Sequence, residues 1–129
     1  MRDLPQHRPV LAGMAYNGFS EAGVRLEALP EGHLLHVLGA IEPSVLAAEL
    51  VKAGFAKSSI RKAGFRQWFV AGDEPLVPTS LDALVAGLAG KAFVMDQSHG
   101  RVRIGVSGRS SRALLSRGTA VDLDPSVFP

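Results

Sequence analysis

Residues 96–115 read DQSHGRVRIGVSGRSSRALL, and the reading of this stretch decides the fold. As chemistry, Asp96, Ser98 and His99 are the residue types of a hydrolytic triad, and the glycines and arginines that follow suit a phosphate. As structure, the same residues are a turn, a strand and a helix. A triad needs its histidine between the other two groups in space, which neighbours in a turn rarely allow. VSGRSSRALL also lacks the glycine spacing and the lysine of a P-loop. The structural reading is therefore adopted. Val102, Ile104 and Val106 alternate with Arg101, Arg103, Gly105 and Ser107, the period of a half-buried strand with its arginines outside. Ser98, His99 and Gly100 form the tip of a hairpin with the preceding strand FVMDQ. Ser110 and Ser111 cap a short helix, RSSRALLSRG, that stops at Gly118.

Upstream of this stretch the elements follow from periodicity. VRLEAL and HLLHVLG (residues 24–29 and 33–39) read as strands joined by PEG into a hairpin, since Pro presets a turn angle and Gly permits the return. His33 and His36 then fall on opposite faces of one strand, so they make no metal pair. In PSVLAAELVKAGF, Leu46, Leu50 and Ala53 recur on one stripe widened by Val45 and Val51. The spacing predicts a helix over 43–53, with Pro43 at its first position and Gly54 as its left-handed stop. Ile60 to Ala63 and Gln67 to Ala71 read as strands around a turn at Gly64, Phe65 and Arg66. Trp68, the sole tryptophan, is read as a core or interface anchor. In TSLDALVAGLAGK, Leu81, Leu84, Val85 and Leu88 mark one buried helix face, with Thr79 as N-cap and Gly90 as stop. Residues 1–21 lack periodicity and read as an irregular arm, leaving 22–129 as a single domain.

Length and charge narrow the function classes. A chain of 129 residues buries about two thirds of the surface its unfolded form exposes, enough for one core. Without cysteine it has neither a disulfide framework nor a thiolate metal site, and a cytoplasmic location is expected. The N-terminal apolar run VLAGMA is far short of the about 18 residues of a membrane span. The net charge is +2, yet Lys52, Lys57, Arg61, Lys62 and Arg66 form one acid-free block, and Arg101, Arg103, Arg109, Arg112 and Arg117 another. Solvated faces neutralised by acids elsewhere explain both blocks best. Arg101, Arg103, Arg109 and Arg112 are also candidates for an anion or a folate glutamate tail. Nucleic acid fits less well, because no aromatic-rich recognition motif accompanies the basic residues. No nucleophile with its base, metal cluster or dinucleotide fingerprint is legible, so no catalytic residue is assigned.

Residues 96–129, DQSHGRVRIGVSGRSSRALLSRGTAVDLDPSVFP, resemble the gamma subunit of heterotetrameric sarcosine oxidase. The matching positions are Asp96, Ser98, Ser107, Gly108, Leu114, Leu115, Gly118, Asp122, Leu123, Phe128 and Pro129, and RQWFVAG resembles the family's strand around a tryptophan, here Trp68. The likeness extends loosely to residues 22–55, and its Asp-Ser-His pattern is similar to that of the glycine-cleavage T-protein and related folate-binding proteins. The resemblance implies an α+β domain of the aminomethyltransferase-like kind with ferredoxin-like βαβ elements, a mostly antiparallel sheet and helices on one face. It implies a structural subunit without cofactor or activity of its own. Its larger partner subunits would use FAD, FMN and NAD to demethylate sarcosine oxidatively and pass the one-carbon unit to tetrahydrofolate. Family members continue beyond the Phe-Pro motif, so the C-terminal part of the domain is expected to be missing here, and self-association is expected of the isolated chain. A stand-alone folate-binding, T-protein-like module is the alternative.

Overall fold

The computed structural model describes residues 10–11, 18–19 and 23–127. Its contacts divide the chain into two compact units, Pro30–Val102 and a second made of Met1–Leu29 with Arg103–Pro129.

The unit Pro30–Val102 grows from the alternation in HLLHVL. Strand β3 (His33–Leu38) buries His33, Leu35 and Val37 and turns Leu34, His36 and Leu38 to the other face, the period-2 consequence of a pleated backbone. Helix α1 (Pro43–Lys52) follows, with Pro43 in its first turn. Its end is a Schellman motif: Gly54 adopts a φ of +94°, its N–H donates to the Val51 carbonyl, and the Phe55 N–H donates to the Leu50 carbonyl at 2.8 Å. The left-handed turn suits glycine, and it brings Phe55 back onto Leu50 inside the core. Strands β4 (Ser59–Gly64) and β5 (Gln67–Gly72) form the expected antiparallel hairpin, with a register shift between Lys62 and Gly64 and Arg66 at a φ of 54°. Helix α2 (Pro78–Gly87) and strand β6 (Phe93–Asp96) complete the unit.

The sheet order is β4-β5-β3-β6, and every pairing in it is antiparallel. In β3-α1-β4 the two strands are separated by β5, and in β5-α2-β6 they are separated by β3. Two interleaved split βαβ units are the ferredoxin-like arrangement. Both helices lie on one face, where Leu46 and Leu50 from α1, Leu84 from α2 and Leu88 just past its end join Leu35, Val37 and Val70 of the sheet. Burying each such side chain fully contributes about 1.5–3 kcal/mol before conformational entropy is subtracted. The apolar stripe of α1 is narrower than its sequence implies, since Val45 and Val51 are exposed. Val85 of α2 is exposed as well.

In the second unit, β1 (Gly18–Phe19), β2 (Arg25–Ala28) and β7 (Ile104–Ser107) form an antiparallel sheet in that order. A strand thus lies inside the stretch expected to be an irregular arm. Helix α3 (Ser111–Leu115) follows β7. Between them Gly108 has a φ of +107°, and a Cβ there would overlap the Gly23 carbonyl oxygen, so backbone passes where any side chain would sit.

Two expected hairpins are corrected. Residues 24–29 and 33–39 do not pair, because β2 joins β7 while β3 lies between β5 and β6. Likewise β6 and β7 belong to different sheets, and Ser98–Gly100 is one turn of 3-10 helix instead of a hairpin tip. Turn residues report that a chain can reverse locally, and pairing depends on which distant strands bury their faces together. The N-caps also differ from expectation. Val77 occupies that position in α2, with Pro78 in the first turn, and Ser110 in α3 makes no side-chain capping bond. In β7 the predicted facing holds only in part: Val106 is half-buried and Ser107 exposed as expected, whereas Ile104 is exposed and Gly105 half-buried beneath Leu29.

Candidate functional site

The face of the four-stranded sheet opposite the helices carries a set of half-buried and exposed apolar and aromatic residues. The pairings β3·β5 and β3·β6 place Leu34, His36 and Leu38 beside Ala71, Phe69 and Gln67, and beside Met95 and Phe93. Phe93 is 80% exposed and Met95 49%. At the centre is an oriented chain of hydrogen bonds. Arg101 Nη2 donates to Gln97 Oε1 at 3.2 Å, Gln97 Nε2 donates to His36 Nδ1 at 3.4 Å, and His36 Nε2 donates to Gln67 Oε1 at 3.1 Å. The guanidinium has only donors, so it orients the Gln97 amide with its oxygen toward Arg101 and its nitrogen toward His36. Phe69 lies between two of these groups, 5.0 Å from the His36 ring centre and 6.0 Å from the Arg101 guanidinium. A rigid polar and aromatic centre with an apolar flank is the composition of a protein-docking surface.

On the helix face, His33 is 8% exposed and fully hydrogen-bonded. Nδ1 donates to the Glu74 carbonyl at 2.7 Å, and Nε2 accepts from the Ser58 hydroxyl at 2.8 Å. A carbonyl can only accept, so the backbone sets the tautomer. The ring edge packs on Phe55 with centroids 5.1 Å apart, and Gly72 leaves the space the ring occupies. His33 ties β3 to the loops on either side of the β4–β5 hairpin. The two histidines occupy opposite faces, as their spacing in a strand requires.

The residues of the opening stretch have backbone tasks. Asp96 Oδ1 accepts the Ser98 amide at 2.8 Å. The Ser98 hydroxyl accepts the Leu34 amide at 3.0 Å and faces the Leu34 carbonyl at 3.5 Å, extending the β3·β6 ladder by one side chain. His99 is exposed. Arg101 belongs to the first unit, whereas Arg103, Arg109 and Arg112 belong to the second. Arg109 packs over Gly23, and Arg112 Nη1 lies 3.6 Å from Asp124 Oδ2. In the first basic block, Lys52 pairs with Glu49 at 3.0 Å and Lys57 with Glu74 at 3.1 Å. The hydrogen bond from Lys52 holds the Glu49 carboxyl below its usual range. Among the described residues no group of three or more His, Asp and Glu is placed to hold a metal.

Trp68 packs against the core with its indole Nε1 buried and unpartnered among the described residues. Leu114 is 46% exposed, the Asp122 carboxylate accepts the Asp124 amide at 3.0 Å, and Phe128 lies outside the described residues. This sheet face was missed in sequence. Its signal is that β3 and β6 carry large apolar residues in both phases of the alternation, as strands do when both sheet faces are covered.

With this geometry in place the comparisons can be read. No protein-family model matches the chain, and no curated protein does. Among solved structures it is similar to a chain of heterotetrameric sarcosine oxidase from Corynebacterium sp. U-96, determined in complex with pyrrole 2-carboxylate. The TM-score is 0.68 at 22% identity, over 92% of this chain and 67% of that one. The chain has a sarcosine oxidase subunit-like fold. Among the described residues, the small α+β architecture of two antiparallel sheets and three helices agrees with the fold expected from residues 96–129. No helix among the described residues is long and apolar enough to cross a membrane.

Proposed function

We propose that this chain is a structural subunit of a sarcosine-oxidase-like complex, of the gamma type, and that it works by docking to larger partner subunits. On this reading the partners carry the FAD, FMN, NAD and tetrahydrofolate chemistry of sarcosine demethylation, in the cytoplasm, and this chain supplies surface. The observation that carries the reading is the similarity over 92% of the chain to a component of a heterotetrameric oxidase. The helix-free sheet face supports it, since a cluster such as His36, Phe69, Phe93 and Met95 on an outer face marks an interaction site. Arg101 and Gln97 hold that face in one conformation, which lowers the ordering cost of docking.

The test is recovery of the tagged full chain from its native cells, followed by flavin absorbance and sarcosine-dependent oxygen uptake of the recovered material. Larger flavoprotein partners in fixed ratio are expected, with recovery lost in a His36→Glu, Phe69→Lys variant that still folds. Recovery of the chain without any flavoprotein would overturn the proposal.

A further inference from the structure

The two edges of the four-stranded sheet are chemically different. Strand β4, on one edge, presents Arg61 and Lys62, the charges with which proteins commonly block edge-to-edge pairing. Strand β6, on the other, reads Phe93-Val94-Met95-Asp96 and has a single charge at its end. Its outer backbone groups follow from the register. The Gln97 amide donates to the Leu34 carbonyl at 2.9 Å, which makes 34 and 97 a hydrogen-bonded pair. Hydrogen-bonded and non-hydrogen-bonded pairs alternate along an antiparallel ladder. With 36 opposite 95 and 38 opposite 93, those two pairs are also bonded. Val94 and Asp96 therefore direct their amides and carbonyls away from β3, toward the free edge. Phe93 and Met95, beside that edge, are 80% and 49% exposed.

We infer that β6 pairs with the β6 of a second copy of this chain, joining two four-stranded sheets across a two-fold axis at Val94. A two-fold axis between antiparallel strands stands perpendicular to the sheet, so opposed residues must share a face and their numbers must sum to an even value. Centring the pair on Val94 meets this condition and uses the groups that point outward: each Val94 amide meets the other copy's Val94 carbonyl, and Asp96 faces Ala92. The same register sets Phe93 of each copy opposite Met95 of the other, covering both exposed side chains twice with an aromatic–sulfur contact. Lys91 then faces Gln97, and no like charges are opposed. Self-pairing of β4 would instead bring Arg61 and Lys62 against their own kind, which is repulsive across strands. The occupant of the free edge is thus a second copy, selected by self-complementarity of register, side chain and charge. The pairing shares Phe93 and Met95 with the docking proposed for the sheet face but rests on the β6 edge, and it is tested on the purified chain alone.

Sedimentation equilibrium of the full chain, at concentrations up to about 100 μM where weak specific association is populated, is expected to give twice the 13.6 kDa chain mass. Val94→Pro removes the outward amide while leaving the β3·β6 bonds intact, and Phe93→Lys, Met95→Lys leaves the backbone alone. Both are expected to be monomeric with an unchanged circular dichroism spectrum. Amide exchange gives a second readout, with Val94 and Asp96 protected at high concentration and fast at low. A monomeric wild type, or dimers that persist in both variants, would overturn the inference. So would protection of the Val94 amide only on adding a flavoprotein partner, which would assign the edge to a different chain.

Discussion

Replacing His33 by leucine removes both ring nitrogens from a site that is 8% exposed while keeping an apolar side chain there. Two hydrogen bonds are lost, to the Glu74 carbonyl at 2.7 Å and the Ser58 hydroxyl at 2.8 Å. At a net value of about 1 kcal/mol each, their loss costs about 2 kcal/mol. The edge-on contact with Phe55 adds about 0.5–1.5 kcal/mol, of which leucine's own burial restores part. We expect His33→Leu to lose about 2–3 kcal/mol. Ser58→Ala breaks one of the two bonds and is expected to lose about 1–2 kcal/mol, since it leaves a buried ring nitrogen without its donor. The double variant isolates the bond: a coupling of about 1 kcal/mol between the two sites is expected, against less than about 0.5 kcal/mol for independent positions. Urea unfolding followed by Trp68 fluorescence is the assay, because Trp68 packs on the core of the same unit, and the m-value should not change. Additive single variants would refute the view that the Ser58–His33 bond ties the hairpin to β3.

Two further outcomes test the backbone and the pH response. Gly90 has a φ of +75° with open space where its Cβ would go, so Gly90→Ala is expected to cost only the left-handed penalty of about 1–2 kcal/mol. Gly108→Ala meets the Gly23 carbonyl as well and should cost distinctly more, read as faster amide exchange across β2 and β7. The Asp124 carboxyl is held below its ordinary value of 3.8 by the Ser126 hydroxyl, the Ser126 amide and, more weakly, Arg112. Such a group contributes stability that is present above its unfolded value and is lost as pH falls through the folded one. An NMR titration should place Asp124 below 3.8, and Ser126→Ala should raise its midpoint.

Features written in short-range order were legible in the residues. Helix α1 follows from Leu46, Leu50 and Ala53 with Pro43 before and Gly54 after, and the β4–β5 hairpin follows from two β-rich runs around Gly64 and Arg66. The backbone duties of Asp96 and Ser98 agree with reading that stretch as structure, although the hairpin assigned to it was wrong. Both pairing errors have one cause. PEG and the turn at residues 98–100 reverse the chain, and nothing local says that the strands on either side belong to different sheets.

The candidate site divides in the same way. That His33 and His36 point to opposite faces is a property of strand periodicity, and it holds wherever the strand lies. That His33 meets Ser58 and Glu74 while His36 meets Gln67 and Gln97 required the neighbours on both sides of β3. Apart from the short strand β1 and the 3-10 turn at Ser98–Gly100, the sequence by itself determined which segments are helical or extended and which residues of each share a face, because these depend on backbone geometry within a few residues. Only the tertiary structure decided which strands pair, which face the helices cover and which strands lie at the sheet edges, because burial rewards contacts between residues dozens of positions apart.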